Sequence, residues 1–374
     1  MLTALFIALK KIFYSGDGGY LLRKALKSPR RIIITRLQHL GDVSVFLPVI
    51  TSLRKIYPES KIYALSKHKT GYELLRRCPF VNKVIRSEKW GMLDKLRLWW
   101  WMWNSPVDIF IVSTQDWGRA LWGFFGSART IVAYRRVFLD GRWHSEKLKW
   151  ALSVSCGDVS LDEQETERNM RLLETLKGSK VELAIFEPRW WNKDEEKTAT
   201  ALLKEYGLGS GRFVAVVPGT KRSSRMWQVE KWAELLKRLK QEFGLSCVIL
   251  GAESEKPVCS KIKSIADKDV ADLSGKTGIG ELLYLVSEAA LVVSVDTGVA
   301  HLANCFSKPM VVLFGPGELP KWKPFGNPNA KVIVKRFDCA PCYNYSCPKG
   351  EVSPCMAAIE VSDVMSAIYG VLKR

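Results

Sequence analysis

Apolar residues alternate between two rhythms along the chain. Short β-branched runs, RIIIT (Arg31–Thr35), KIYAL (Lys61–Leu65), DIFIV (Asp108–Val112) and TIVAY (Thr130–Tyr134), are apolar at almost every position. Strands buried on both faces look like this. Between several of them lie stretches of helical period, such as VFLPVITSLRKIY (Val45–Tyr57). That βαβ alternation predicts a parallel sheet. The rhythm fades through residues 141–190 and restarts with FVAVV (Phe213–Val217), CVILG (Cys247–Gly251), LVVSV (Leu291–Val295) and MVVLF (Met310–Phe314). WQVEKWAELLKRLKQEF (Trp227–Phe243) and GIGELLYLVSEA (Gly278–Ala289) read as helices between them. The expected fold is α/β, with two Rossmann-like doubly wound domains facing a central cleft and a boundary near residues 178–192. Ligands of such sheets gather at the carboxyl ends of strands, so residues just after strands are the informative ones.

Length and composition leave this picture unchanged. A chain of 374 residues, 47% hydrophobic and 25% charged, suits two ordinary globular domains. Charge does change it. Residues 1–150 hold 27 Lys and Arg against 10 Asp and Glu, which is +17 of the net +19. A basic half beside a near-neutral half suggests that one domain faces something anionic: nucleic acid, acidic lipid or a phosphorylated substrate.

The Leu2–Leu9 run stops at Lys10-Lys11, far short of the roughly 20 residues a bilayer-crossing helix needs. It lacks a small-residue cleavage site and is not read as a signal peptide. It is either an amphipathic arm lying in an interface or a terminal helix packed on its own domain. KWGMLDKLRLWWWMWN (Lys89–Asn104) sets five Trp among basic residues. Trp with Lys and Arg favours the headgroup layer, so peripheral contact with an anionic membrane is expected, against the plainer alternative of a core helix rich in Trp.

Three strand ends carry candidate chemistry. VAVVPGTKRSSRMW (Val214–Trp227) passes from a strand through a Pro-Gly turn to a basic polar loop. Thr220, Lys221, Ser223 and Arg225 there supply hydroxyls and cations for phosphates. SVDTGVAHLA (Ser294–Ala303) ends a strand at Asp296-Thr297-Gly298, with His301 three residues on. Asp296 could simply cap the helix and His301 could be structural. Acid, glycine and imidazole at one strand end favour an anion site instead, suited to a pyrophosphate. RLQHLGDVSVFLPV (Arg36–Val49) places Gly41-Asp42 just before a helical run. Asp42 is either a cap or a carboxylate able to take a proton from an acceptor hydroxyl, with Arg36 and His39 to orient phosphate or assist it.

Other motifs fail. SGKTG resembles the end of a phosphate-binding P-loop, but Val270 stands where its first glycine must be. No G-x-G-x-x-G joins a strand to a helix, and the acids of Asp267–Asp269 read as solvated surface. Cys339, Cys342, Cys347 and Cys355 lie close in sequence with one C-x-x-C. They could hold a structural metal, but the later spacings match no standard site, and packing thiols or one disulfide stay open.

Taken in order, RLQHLGDVSVFLPV, VVPGTKRSSRMWQVEKWAELLKRL and DLSGKTGIGELLYLVSEAALVVSVDTGVAHLA with PMVVLFGP resemble the ADP-heptose:lipopolysaccharide heptosyltransferases, glycosyltransferase family 9. The Cys-rich tail is also similar to that of many members, whereas residues 85–190 match weakly. The resemblance implies a GT-B fold. The acceptor would sit in an N-terminal domain (1–185) and the sugar nucleotide in a C-terminal one (186–355). A C-terminal helix (356–374) would have the option of packing back on the first domain. It further implies inverting transfer of a heptose from ADP-heptose to a lipopolysaccharide core or lipid A-type acceptor, without cofactor or catalytic metal. By position, Asp42 looks like the general base, and Asp296, Thr297, Gly298 and His301 look like the donor-binding turn. Thr220 and Arg225 look like the hydroxyl and cation on the diphosphate. Arg225 stands where Lys is common, and Lys221 where a small polar residue is common. Glu253 is a candidate nucleoside contact, and Arg36 and His39 lie on the acceptor side. The expected place of action is the cytoplasmic face of the inner membrane, on an anionic lipid-linked acceptor. The alternatives are the same mechanism with another nucleotide sugar or acceptor, or a basic membrane or nucleic-acid binder. The binder leaves Asp42 and the 294–303 turn without a role, and no nucleic-acid-binding motif is evident.

Overall fold

The computed structural model describes residues 26–35, 37–113, 119–139, 142–144, 152–184, 186–267 and 269–372. Arg36 and the Leu2–Leu9 run lie outside them.

Two compact units emerge. The first takes in Pro48–Ser160 and Thr166–Ala184 together with the chain up to Gln38. Its strands are β1 (Arg31–Thr35), β2 (Lys61–Ser66), β3 (Lys83–Arg86), β4 (Ile109–Val112) and β5 (Thr130–Ala133), then a hairpin of β6 (Val137–Leu139) and β7 (Arg142–His144), and β8 (Val154–Ser155). They form a parallel sheet of order β3-β2-β1-β4-β5-β8, with the hairpin apart. The second unit holds β9 (Phe213–Val217), β10 (Ser246–Ile249), β11 (Ala271–Asp272), β12 (Leu291–Val295), β13 (Met310–Phe314) and β14 (Ala330–Val334). Its order is β11-β10-β9-β12-β13-β14, again parallel. Both orders reverse direction beside the central strand, as doubly wound sheets do. The fold is α/β of the GT-B type, built from two such sheets.

Strands buried on both faces are the ones the apolar runs announce. β4, β5, β9, β12 and β13 are buried along their whole length. The edges β3 and β14 are only partly buried and mix charge with apolar residues, so their pattern is weak.

The second unit also claims two short pieces of the chain before residue 185, His39–Leu47 and Leu161–Glu165. The first opens a helix that starts earlier than its apolar pattern suggests, at Leu40 rather than Val45. Asp42 therefore sits inside the first turn. It accepts a hydrogen bond from the His39 N–H at 3.0 Å, while Val43 N–H returns to the His39 carbonyl. An acid reaching back to the N-cap amide satisfies one of the donors a helix start leaves free, and it lets Gly41 enter the helix.

The C-terminal helix, Val361–Leu372, packs into the second unit. Val361, Val364, Met365, Ile368 and Val371 are buried in the second unit's core with Trp227, Trp232, Leu236 and Val293. Its approach is pinned by polar contacts. Trp227 Nε1–H donates to the Ile359 carbonyl at 3.0 Å, and Lys231 Nζ donates to the carbonyls of Ala357 and Ile359 at 2.7 and 3.0 Å. Its apolar face is thus part of the second unit's core.

Candidate functional site

β9 and β12 are neighbours, with Val217 level with Ser294. The loop after β9 and the turn after β12 consequently emerge side by side, from two elements about 75 residues apart in sequence that the sheet pairing alone unites.

After β9 the chain makes the Pro218-Gly219 turn and a single 3-10 turn, Ser223–Arg225. Thr220 is half-buried, and its hydroxyl oxygen lies 3.5 Å from the Arg222 N–H; Lys221 stays exposed. The two serines hold the loop rather than face a ligand. Ser223 Oγ–H donates to the Tyr345 carbonyl at 3.2 Å and Ser224 Oγ–H to the Asn344 carbonyl at 2.9 Å. Ser224 N–H also reaches the Tyr345 carbonyl, at 3.0 Å. Residues 344–345 of the Cys-rich tail therefore shape the loop that presents Arg225.

Arg225 meets the end of β12. Its Nη1 lies 2.7 Å from Asp296 Oδ2 and 3.4 Å from the Asp296 carbonyl. The close pair is a charge contact rather than an aligned hydrogen bond, because Asp296 Oδ2 and Arg225 Nε, both buried, complete no hydrogen bond. Buried polar atoms without partners are costly and are commonest where a ligand completes them. Asp296 does not cap the following helix, Gly298–Cys305. Thr297 holds the cap position and its side chain makes no cap bond.

Gly298 has a sharper requirement than close approach to a ligand. A Cβ there would lie 2.9 Å from Gly41 N and 3.0 Å from Leu40 Cβ. A Cβ at Gly41 would meet Gly298 Cα at 3.3 Å and His301 Cδ2 at 3.2 Å. The two glycines pack backbone to backbone, which sets the first turn of the Asp42 helix against the start of the His301 helix. Cys305 Sγ–H, one turn further, reaches the Ser44 carbonyl at 3.3 Å. The Asp42 segment, His39–Leu47, is grouped by its contacts with the same compact unit as the donor turn.

His301 is buried, with its ring 5.6 Å from that of Trp322. Burial pushes its pKa below the ordinary histidine value; the carboxylates of Asp296 and Asp42 pull it up, Arg225 pushes it down and Glu165 pulls it up. The imidazole is therefore neutral at pH 7, with one ring nitrogen donating and the other accepting. The site thus combines two acids (Asp42 and Asp296), one cation, a neutral imidazole and a helix N-terminus with free amides.

Three neighbours of this cluster escaped the sequence reading. Glu165, buried at the start of the helix Glu165–Lys177, acts on His301. Trp322 stacks near it, and Gly317 lets its loop pass Asp296, since a Cβ there would lie 2.9 Å from Asp296 Oδ2. Gly317 and Trp322 follow β13, so the strand-end rule could have found them. Glu165 lies in a stretch with no strand pattern, and nothing in the sequence points to it.

Of the remaining predicted residues, Glu253 lies over the Gly275 turn, two strands away from β12, with Lys256 Nζ 3.5 Å from its Oε1. His39 contributes its backbone amide to Asp42. Cys339 and Cys342 lie near enough to Cys355 to act on its thiol. Among the described residues no three His, Cys, Asp or Glu side chains come together as a metal-binding group. Cys339 is exposed, Cys342 and Cys347 are partly exposed, and Cys355 is buried in the second core next to Met356. Burial raises the pKa of the Cys355 thiol, as expected of a packing thiol.

Known proteins are similar to this chain in sequence and fold. The sequence profile of glycosyltransferase family 9 (heptosyltransferase) matches residues 123–353. Lipopolysaccharide heptosyltransferase 3 of Escherichia coli K12 is 24% identical over 302 residues, covering 77% of this chain and 83% of its own. The lipopolysaccharide core heptosyltransferase OpsX of Haemophilus influenzae is 21% identical over 314 residues, covering 82% and 85%. Among solved structures, E. coli ADP-heptose lps heptosyltransferase II superposes with a TM-score of 0.70 at 19% identity, covering 92% of this chain and 98% of that one. With the profile spanning more than half of its length, this chain is a glycosyltransferase and belongs to family 9.

Proposed function

We propose that the protein transfers a heptose from ADP-heptose to an anionic, lipid-linked lipopolysaccharide core acceptor, with inversion and without a catalytic metal or cofactor. The observation that carries this is the juxtaposition of Asp42 with the Arg225–Asp296–His301 cluster, fixed by the Gly41–Gly298 contact. The relatives' names supply the sugar and the acceptor class, and E. coli heptosyltransferase II supplies the nucleotide.

The chemistry is a single displacement. The acceptor hydroxyl oxygen attacks the anomeric carbon as the bond from that carbon to the diphosphate oxygen breaks, and the electron pair leaves on ADP. Asp42, oriented by the His39 amide, takes the hydroxyl proton. Arg225, a His301 N–H, the Thr220 hydroxyl and the amides opening the helix Gly298–Cys305 meet the charge that grows on the leaving diphosphate. Asp296 and Thr297 hold the sugar. Lys221 adds positive charge at the rim, and Glu253 stands where a nucleoside would lie. Arg36 and His39 serve the acceptor. The site of action is the cytoplasmic face of the inner membrane, reached without nucleic acid as a partner; among the described residues no helix is long and apolar enough to cross a membrane.

The test is nucleotide preference followed by turnover. Calorimetry should show ADP binding more tightly than UDP or GDP, and ADP-heptose with a heptose-deficient core lipid should yield product with EDTA present. Tighter UDP binding would move the donor to another sugar nucleotide.

A further inference from the structure

The Trp-rich helix Met92–Asn104 has two apolar faces, and the described residues bury only one, the other being tied to them by the Trp103 indole N–H, which donates to the Phe125 carbonyl at 2.8 Å. Leu98 and Met102 are buried in the first unit's core. Trp101 packs edge-on to Tyr63 at 5.1 Å, and Trp99 lies 5.2 Å from Phe125. Those contacts seat the helix. On the other side Met92, Leu93, Leu96, Trp100 and Trp103 are all exposed, Leu93 by 70% and Trp100 by 66%. At about 100° per residue they fall within one arc of about 100°, a continuous stripe rather than scattered residues. Single exposed leucines mean little, but a contiguous stripe with two indoles marks a surface that something covers.

We propose that this stripe docks on an anionic lipid bilayer. Charge selects the occupant. Arg97, 80% exposed although its Nη1 lies 3.6 Å from Asp94 Oδ1, borders the stripe, and Lys89 is exposed just before the helix. They lie in the stretch that carries +17 of the chain's +19. A second copy would bring the same positive surface and repel it, whereas acidic headgroups complement it. Indoles favour the layer between headgroups and acyl chains, and the stripe is about the depth of one helix face, suited to lying in that layer rather than crossing it. The proposal deepens the lipid-linked acceptor proposed above and rests on it only for its purpose. Binding is read without turnover, so each can fail alone.

The experiment uses the full chain and sucrose-loaded vesicles of phosphatidylcholine, with or without phosphatidylglycerol. The protein should co-sediment with the anionic vesicles about tenfold more strongly than with the neutral ones, and this should weaken with salt. Leu93→Glu/Trp100→Glu should lose about tenfold in vesicle affinity while keeping the parent's melting temperature and nucleotide binding. A second variant, Lys89→Glu/Arg97→Glu, should lose severalfold with the apolar stripe intact. Parent protein that stays in the supernatant, or a stripe variant that sediments like the parent, overturns the proposal. So does sedimentation velocity showing a dimer that the stripe variant dissolves, since the stripe would then be a contact between copies.

Discussion

The two sheets share one winding and differ in what they have done with it. Each has its central strand, β1 or β9, flanked by a strand that comes later in the chain and by one that follows directly. In the second unit the strand ends carry the candidate site: Arg225 after β9, Asp296 and His301 after β12, Gly317 and Trp322 after β13. Nearly balanced charge accompanies them, because residues 151–374 hold 30 basic against 28 acidic residues. The first unit keeps a plain buried sheet and concentrates its oddities outside it, in positive charge and in the apolar stripe of the helix Met92–Asn104. What the first unit's central strand does supply, the turn with Asp42, is counted with the second unit. A doubly wound sheet therefore constrains where a site can form but not whether it does.

The sharpest way to break that contrast is Asp42→Ala. Transfer should fall by about 10³-fold, with ADP affinity within about twofold of the parent in calorimetry. Retained turnover would remove the base from the site. Next is Arg225→Ala. It strands the buried Asp296 carboxylate, so stability should drop by about 3 kcal/mol in urea unfolding. Added ADP should rescue less than it does in the parent. Gly298→Ala comes third: with Gly41 N only 2.9 Å from the new Cβ, the cost should be about 2 kcal/mol by thermal melting, and transfer should suffer although no ligand group is lost. The same substitution at the open Gly209, where a Cβ meets nothing within 4 Å, should leave both unchanged.

The smallest effect is a pH dependence. The folded His301 pKa lies below 6.5, so between that pKa and 6.5 the unfolded chain binds more protons than the folded one. Stability from this group is complete above about pH 6.5 and is lost as pH falls toward the folded pKa, by at most about 1.4 kcal/mol per pH unit. His301→Gln should flatten that part of the stability curve. A parent curve that is already flat between pH 5 and 6.5 would show that burial does not govern the imidazole.

How much of this could be read from the chain follows from burial. β1, β9, β12 and β13 match their apolar runs residue for residue, because a strand covered on both faces is apolar at almost every position. β3, β8, β11 and β14 do not, since edge strands carry charge or are two residues long. Gly41-Asp42 reads as a turn before a helix because apolar period alone does not register the local capping bond from the His39 amide to Asp42 that admits both residues to the first turn. Asp42, Arg225, Asp296 and His301 were legible because each stands after a strand. Glu165 was not, because it arrives from a segment without periodicity, and the bond of the Ser223 hydroxyl to the Tyr345 carbonyl joins segments 122 residues apart, beyond the reach of a local pattern. Of the readings open for the cysteine tail, packing describes Cys355, which lies in the apolar core.

The paired glycines at 41 and 298 carry a consequence for how this protein can be altered. A side chain that touches its neighbour can be traded for one of another shape, but two main chains in contact leave nothing to trade. Engineering of the proposed site must therefore work around this seam, at the loops after β10 and β13, because any widening at residues 41 or 298 would shift Asp42 and the turn at 296–301 together.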